Sequence, residues 1–137
     1  MTKPFEQLTR EVFHNIHLGQ IENEFTFSRF ASQISEEYLK LPPNYFTGKH
    51  CLDAGCGSNV NGTLNLLNLG AKHVTAFDLN SDFFEVAHKI LEAHKGKYTL
   101  DVGDVQKMKH GNESFDFVLC QGVLHHTRSV SMGVKEL

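Results

Sequence analysis

The sequence has few cysteines, no long apolar run and little excess charge. Cys51, Cys56 and Cys120 are odd in number and lie in strand-like or glycine-rich segments, which indicates reduced thiols rather than a disulfide framework. No apolar run approaches the roughly 18 residues of a membrane span. Residues 1–10 also lack the apolar stretch of a secretory signal. We therefore expect a cytoplasmic protein.

The charge balance argues against a strongly basic binding surface. The formal net charge is −3 at pH 7, so neither a nucleic acid nor a membrane is expected as a partner. With 40% hydrophobic and 21% charged residues, the composition is that of an ordinary globular protein with a core. A length of 137 residues suffices for one domain.

Two regions differ in their hydrophobic pattern. Residues 1–45 read as a helical lead-in that ends at Pro42-Pro43. Its apolar residues recur at helical spacing in two sets: Phe5, Leu8, Val12 and Phe13, then Phe27, Phe30, Ile34 and Tyr38. Core packing is the expected role of the aromatic residues Phe25, Phe27, Phe30 and Tyr38. Residues 46–137 form the second region, which alternates between strand-like and helix-like patterns.

The second region predicts a parallel sheet. Strands are expected at residues 51–54, 73–78, 98–102 and 115–120. Helices are expected over 60–69, from Ser81 or Asp82 to about His94, and from Val130 onwards. Strands that alternate with helices imply right-handed crossovers. The predicted fold class is therefore α/β, with a Rossmann-like doubly wound parallel sheet.

A glycine-rich turn joins the first strand to the first helix. Gly55 and Gly57 allow a sharp turn and a close approach of a ligand to the backbone, and the helix start that follows suits an anionic group. The dinucleotide-binding pattern would require a glycine or alanine at position 60, which is Val60. A glycine turn that binds nothing is the alternative.

Acidic residues follow the next two strands. Asp78 ends the second strand, at a distance from Gly57 close to the ~20 residues expected of a ribose-binding acid. A carboxylate there can accept hydrogen bonds from two adjacent hydroxyls. Asp104 follows the third strand, at the same edge of the sheet. The alternative roles are a helix cap for Asp78 and a turn residue for Asp104.

These segments together resemble class I S-adenosylmethionine-dependent methyltransferases. Asp53, Gly55 and Gly57 match the family pattern D/E-x-G-x-G-x-G, in which Asn59 replaces the third glycine. The fourth-strand segment, Phe115-Asp116-Phe117-Val118 followed by Leu124-His125-His126, is similar to the family's F-D-x-V and L-H-H. The resemblance covers roughly residues 49–126, and within the family it points to methylation of small molecules.

The resemblance implies S-adenosylmethionine as cofactor and a small-molecule methyl acceptor as partner. It assigns no catalytic residue and places residues 1–45 as a lid. The implied cofactor-binding residues of the glycine turn are Asp53, Gly55, Cys56 and Gly57. Asp78 and its neighbour Leu79 would bind the ribose, and Asp104 and its neighbour Val105 would bind the adenine. Gln121 would contact the methionine part.

The remaining groups of histidine and cysteine residues predict neither a metal site nor another functional site. His125 and His126 with Cys120 lack a second ligand cluster at zinc spacing, so no metal is expected. His14 and His17 share one helical face, for which solvent exposure is the expectation.

The family's strand order, 3-2-1-4, would leave the fourth strand at an edge of the sheet. Residues 117–120 form an uncharged apolar run there, the kind of edge that natural proteins cover. We therefore expect a fold incomplete at its C-terminus, or self-association through the fourth strand. Two other functions stay open: a degenerate or truncated cofactor-binding or interaction domain without activity, and an NAD-dependent oxidoreductase.

Overall fold

The computed structural model describes residues 3–20 and 24–137, without the side chains of residues 24, 26, 27, 30 and 31. The packing predicted for Phe27 and Phe30 therefore lies outside the described residues. Core packing is wrong for Phe25, which is 74% exposed. The described chain contains five α-helices, four strands and two short 3-10 turns. In chain order these are α1 (Phe5–Gln20), α2 (Glu24–Gln33), β1 (His50–Ala54), α3 (Asn61–Asn68), β2 (His73–Asp78), α4 (Phe84–Ile90), a 3-10 turn (Glu92–His94), β3 (Tyr98–Val102), β4 (Phe117–Leu119), a second 3-10 turn (Leu124–His126) and α5 (Val130–Glu136).

The four strands form one parallel sheet in the order β3-β2-β1-β4. This order confirms the α/β prediction and the predicted position of β4 at an edge. The chain runs outward from β1 through β2 to β3 and then returns to pair β4 on the other side of β1. In sheets of this kind, ligands bind at the carboxyl ends of the strands where the order reverses. The topology therefore points to the ends of β1 and β4.

Alternating side chains of β1 belong to two apolar clusters, one on each face of the sheet. Cys51 is fully buried in a cluster with Leu66 of α3 and Ala87 of α4. Leu52 packs on the opposite face with residues of the segments that follow β3 and β4. Cys51 is thus a small buried core residue, as its sequence context predicts, and β1 lies at the centre of the molecule.

The edge strand β4 is short, and its side chains are half-buried. Phe117 packs edge-on against Phe46, with ring centroids 4.9 Å apart. Short strands are one way in which proteins limit pairing at a free sheet edge. Self-association through β4 stays a prediction.

The predicted helix limits are wrong in two places. The second helix ends at Gln33, and Tyr38, on which the predicted pattern depended, is 61% exposed in a turn. The helix expected from Ser81 or Asp82 begins at Phe84, and neither residue caps it. Asp82 is unavailable as a cap because its carboxylate binds two side chains of α1. No helix among the described residues is long and apolar enough to cross a membrane.

Candidate functional site

The glycine-rich turn is held against the end of β2. The N–H groups of Gly55 and Cys56 both donate to the carbonyl of Phe77, at 2.9 and 3.0 Å. Gly57 N–H donates to Asp78 Oδ2 at 3.0 Å. Gly55 and Gly57 have φ values of +85° and +68°, which favour glycine. The third left-handed residue is Val60, at φ +44°, and not Asn59, which the sequence pattern indicated as the glycine substitute.

The side chain of Asp53, near the end of β1, reaches the first turn of α3. Its carboxylate is buried and accepts a hydrogen bond from Thr63 Oγ1 at 2.8 Å. Burial raises the pKa of Asp53 to about 6, although hydrogen bonds from Thr63 act in the opposite direction. The first turn of a helix carries free N–H groups and a partial positive charge. The protein's own carboxylate therefore compensates this helix end, where the sequence indicated a site for an anionic ligand.

Asp78 and Asn80 form a rigid corner after β2. Asp78 Oδ1 accepts from Asn80 N–H, and Asn80 Oδ1 accepts from Asp82 N–H, at 3.0 and 2.9 Å. With Gly57 N–H on its other oxygen, Asp78 is fixed by backbone groups on both sides. Asn80 is 4% exposed, and its Nδ2 has no hydrogen-bond partner among the described residues.

The segments after β3 and β4 complete the wall. Asp104 Oδ1 accepts from Gln106 N–H at 2.8 Å, so the turn role considered for Asp104 is real. Val105 is buried beside it. Gln121 donates from Nε2 to Gln33 Oε1 of α2 at 2.9 Å, which ties the loop after β4 to the N-terminal region.

A cavity of about 230 Å³ lies at the carboxyl ends of the strands. All nine residues predicted from the resemblance line it: Asp53, Gly55, Cys56, Gly57, Asp78, Leu79, Asp104, Val105 and Gln121. The structure thus brings the predicted set together at the topological switch point. Of the two adjacent histidines, His126 lines the cavity and His125 does not. Burial, followed by the neighbouring His125, lowers the pKa of His126.

Helix α1 forms the remaining wall of the cavity. Phe13 contacts His126 edge-on, with ring centroids 4.5 Å apart. His17 lies against Phe83, and its carbonyl accepts from Ser58 Oγ at 3.2 Å. The expectation of solvent exposure is wrong for His17, which lines the cavity. The His14 side chain stays 41% exposed while it binds Asp82. The helical spacing in the sequence indicated that these two histidines share one face of α1. It did not indicate which residues that face contacts.

Sequence reasoning also missed three unpartnered polar atoms. His17 Nδ1, Asn61 Oδ1 and Asn80 Nδ2 are buried, have no hydrogen-bond partner among the described residues, and belong to residues that line this cavity. Unpartnered buried polar atoms are rare in native proteins and point to a missing partner. No sequence signal singled out these residues, because polar side chains near turns are common. Within residues 3–20 and 24–137, no group of three or more histidine, cysteine or acidic side chains could hold a metal ion.

Exposed ionic contacts fasten α1 to the sheet domain, chiefly at Asp82. Arg10 Nη2 lies 2.8 Å from Asp82 Oδ1, and His14 Nδ1 lies 3.1 Å from Asp82 Oδ2. Both side chains of the Arg10–Asp82 pair are more than a third exposed, so solvent screens the pair and its contribution stays below about 1 kcal/mol.

Replacing Arg10 with alanine is expected to loosen α1 without unfolding the domain. Amide exchange within α1 should quicken by about threefold, which a pair of this strength allows. Lys3→Ala is the matched control, because Lys3 pairs only with Glu11 of α1 in the described chain. The role given to Arg10 is wrong if both variants exchange alike, or if the Arg10→Ala effect persists unchanged at high salt.

Comparison with known proteins identifies a family. A family model described as "Methyltransferase domain" matches residues 51–137. The chain is 30% identical over 101 residues to the malonyl-[acyl-carrier protein] O-methyltransferase of Legionella pneumophila, covering 74% of this chain and 34% of that protein. It is 29% identical over 121 residues to the tRNA U34 carboxymethyltransferase of Colwellia psychrerythraea, covering 85% of this chain and 33% of that protein.

A solved structure shows the same architecture. The BH2331 protein of Bacillus halodurans superposes with a TM-score of 0.56 at 27% identity, over 65% of this chain and 38% of that chain. The chain spans between 2% and 34% of the length of the curated relatives it matches.

Proposed function

The chain belongs to the methyltransferase domain family, and on that basis we propose that its protein transfers a methyl group from S-adenosylmethionine to a small-molecule acceptor. The observation that carries this proposal is the convergence of the glycine turn and the two strand-end carboxylates, Asp78 and Asp104, on one cavity. We further propose that residues 1–45 act as a lid over this cavity and that the protein is cytoplasmic.

The cavity residues fit such a cofactor. Asp78, held by Gly57 N–H and Asn80 N–H, has both oxygens directed by backbone donors and suits a pair of ribose hydroxyls. Asp104 and the buried Val105 offer an acceptor and an apolar wall to an adenine ring. The unpartnered atoms of Asn61 and Asn80 would gain the partners that they lack.

The cofactor, when bound, supplies a methyl group on an already activated sulfonium leaving group. The chain's own residues then act by position, because in-line transfer depends chiefly on orientation. Phe13, Val123 and His126 line the cavity at the ends of β1 and β4. His126 lies where it would contact an acceptor, although no proton transfer is assigned to it.

Asp53 argues against an NAD-dependent oxidoreductase. Dinucleotide enzymes place an anionic pyrophosphate at the start of the helix after the first strand. Here the buried Asp53 carboxylate already accepts a hydrogen bond from Thr63 in the first turn of α3. A second anion would be repelled at this position. S-adenosylmethionine carries no phosphate and avoids the conflict.

Calorimetric titration with S-adenosylhomocysteine tests the proposal. Saturable binding is expected, and Asp78→Ala should weaken it by about 30-fold, since hydrogen bonds to a charged group contribute about 1.5–3 kcal/mol. Asp101→Ala is the matched control, because Asp101 is an exposed carboxylate on neighbouring β3 that does not line the cavity. NAD should not bind to either protein.

Three results would count against the proposal. Binding of NAD would favour the oxidoreductase, and equal affinity in Asp78→Ala and Asp101→Ala would remove Asp78 from the site. A cooperatively melting chain that binds neither ligand would favour a degenerate or interaction domain. If binding is confirmed, a panel of acceptors should follow that includes a carrier-bound malonyl group and tRNA, since names of relatives specify both. Methylation of tRNA would refute the small-molecule assignment.

A further inference from the structure

His17 is a half-buried titratable residue to which neither the family resemblance nor the fold assigns a role. It lies in the last turn of α1, and its ring packs against Phe13 and Phe83, with centroids 5.9 and 5.7 Å away. Its backbone carbonyl accepts from Ser58 Oγ, which fixes this end of α1 over the glycine-rich turn. The imidazole is therefore positioned from both its ring and its backbone.

The polar edge of this ring has no partner within the described chain. His17 Nδ1 is buried and makes no hydrogen bond, although the residue lines the cavity. Burial lowers the pKa of His17, partly offset by the nearby Asp78 carboxylate, and His14 lowers it further. The neutral ring can donate or accept one hydrogen bond at this nitrogen, according to its tautomer. A buried nitrogen without a partner is destabilising, so a ligand that supplies one is favoured.

The surroundings restrict what that ligand group can be. Asn80 Nδ2, also buried and unpartnered, belongs to the corner that fixes Asp78. An anionic group beside the Asp78 carboxylate would be repelled, whereas a hydroxyl can donate to Asp78 and also bond a neutral imidazole. A ribose, with two adjacent hydroxyls, meets both demands.

Building on the proposed function, we propose that His17 is a cofactor-binding residue whose Nδ1 hydrogen bonds to a ribose hydroxyl at Asp78. The lid helix then supplies a contact to the ligand and does not only cover it. By reciprocity, bound ligand strengthens the docking of α1 as much as docked α1 strengthens binding of the ligand.

The experiment compares His17→Phe with Asn15→Ala, an exposed position of the same helix that does not line the cavity. Phenylalanine keeps the packing against Phe13 and Phe83 and removes the ring nitrogens. The ligands are S-adenosylhomocysteine and 5′-methylthioadenosine, which keeps the ribose but lacks the amino-acid part. Both are expected to bind about tenfold more weakly to His17→Phe, which is the loss of about one hydrogen bond. Asn15→Ala should match the unmodified protein.

Amide exchange gives a second readout. S-adenosylhomocysteine should slow exchange in α1 of the unmodified protein and of Asn15→Ala, and do so less in His17→Phe. His17→Gln, which restores a polar group, should recover part of the affinity. Melting temperatures identify any variant that fails to fold. If His17→Phe fails to fold, the affinity of His17→Gln is compared with that of the unmodified protein instead.

The outcomes separate this inference from the function on which it rests. No binding to the unmodified protein overturns both. Binding that is unchanged in His17→Phe overturns the role of His17 alone. A loss confined to S-adenosylhomocysteine refutes the ribose contact and moves it to the amino-acid part. A loss shared with Asn15→Ala shows a general effect of the helix and refutes a direct contact.

Discussion

Replacing Gly62 with alanine is expected to destabilise the domain by about 3 kcal/mol, the upper part of the range for overpacking a core. A Cβ at this position would lie 2.6 Å from Asp53 Oδ2 and 2.6 Å from Leu119 Cδ2. Helix propensity alone predicts the opposite sign, since alanine exceeds glycine by about 1 kcal/mol inside a helix. The steric term prevails because Thr63 holds the buried Asp53 carboxylate in place.

Gly19→Ala is the matched control. Gly19 also lies in a helix, but a Cβ there would meet nothing within 4 Å. That variant should be neutral or slightly more stable by denaturant unfolding, as propensity predicts. Equal stability changes in the two variants would show that the space beside Asp53 is not restricted. Affinity for S-adenosylhomocysteine should fall in Gly62→Ala alone, because Gly62 and Asp53 both line the cavity.

Order and type of the sheet elements could be predicted from the sequence because each strand has a local apolar signal. The alternation of short apolar runs with glycine turns predicted all four strands, and the family resemblance implied nine residues that are among those lining the cavity. These are properties of single segments. They place functional residues at strand ends, where parallel strands bring them to one edge.

What could not be predicted depends on contacts between segments far apart in the chain. Asp82 has the local context of a helix cap, yet Arg10 and His14 bind its carboxylate across some 70 positions. Val60 takes the left-handed conformation that was expected of Asn59, although β-branched residues disfavour it. The ring nitrogen Nδ1 of His17 is buried only because α1 folds back over the glycine turn. Local patterns contain none of this information.

The buried carboxylate of Asp53 is expected to make stability depend on pH. Its pKa is raised from 3.8 to about 6 in the folded chain. Between those two values the folded state retains a proton that the unfolded state releases, so this group's contribution becomes more favourable as the pH falls from above 6 towards 4. The full range corresponds to about 3 kcal/mol, at 1.36 kcal/mol for each pKa unit.

Asp53→Asn should remove this dependence. The variant's stability relative to the unmodified protein is expected to decline by about 3 kcal/mol between pH 8 and pH 4, measured by denaturant unfolding. Taking the difference between the two proteins cancels any pH-independent effect of the amide, together with the titration of other groups. Asp101→Asn, at an exposed carboxylate outside the cavity, is the control for replacing an acid by its amide. A pH-independent difference for Asp53→Asn would mean that the carboxylate is solvated or paired more strongly than its single side-chain bond to Thr63 indicates.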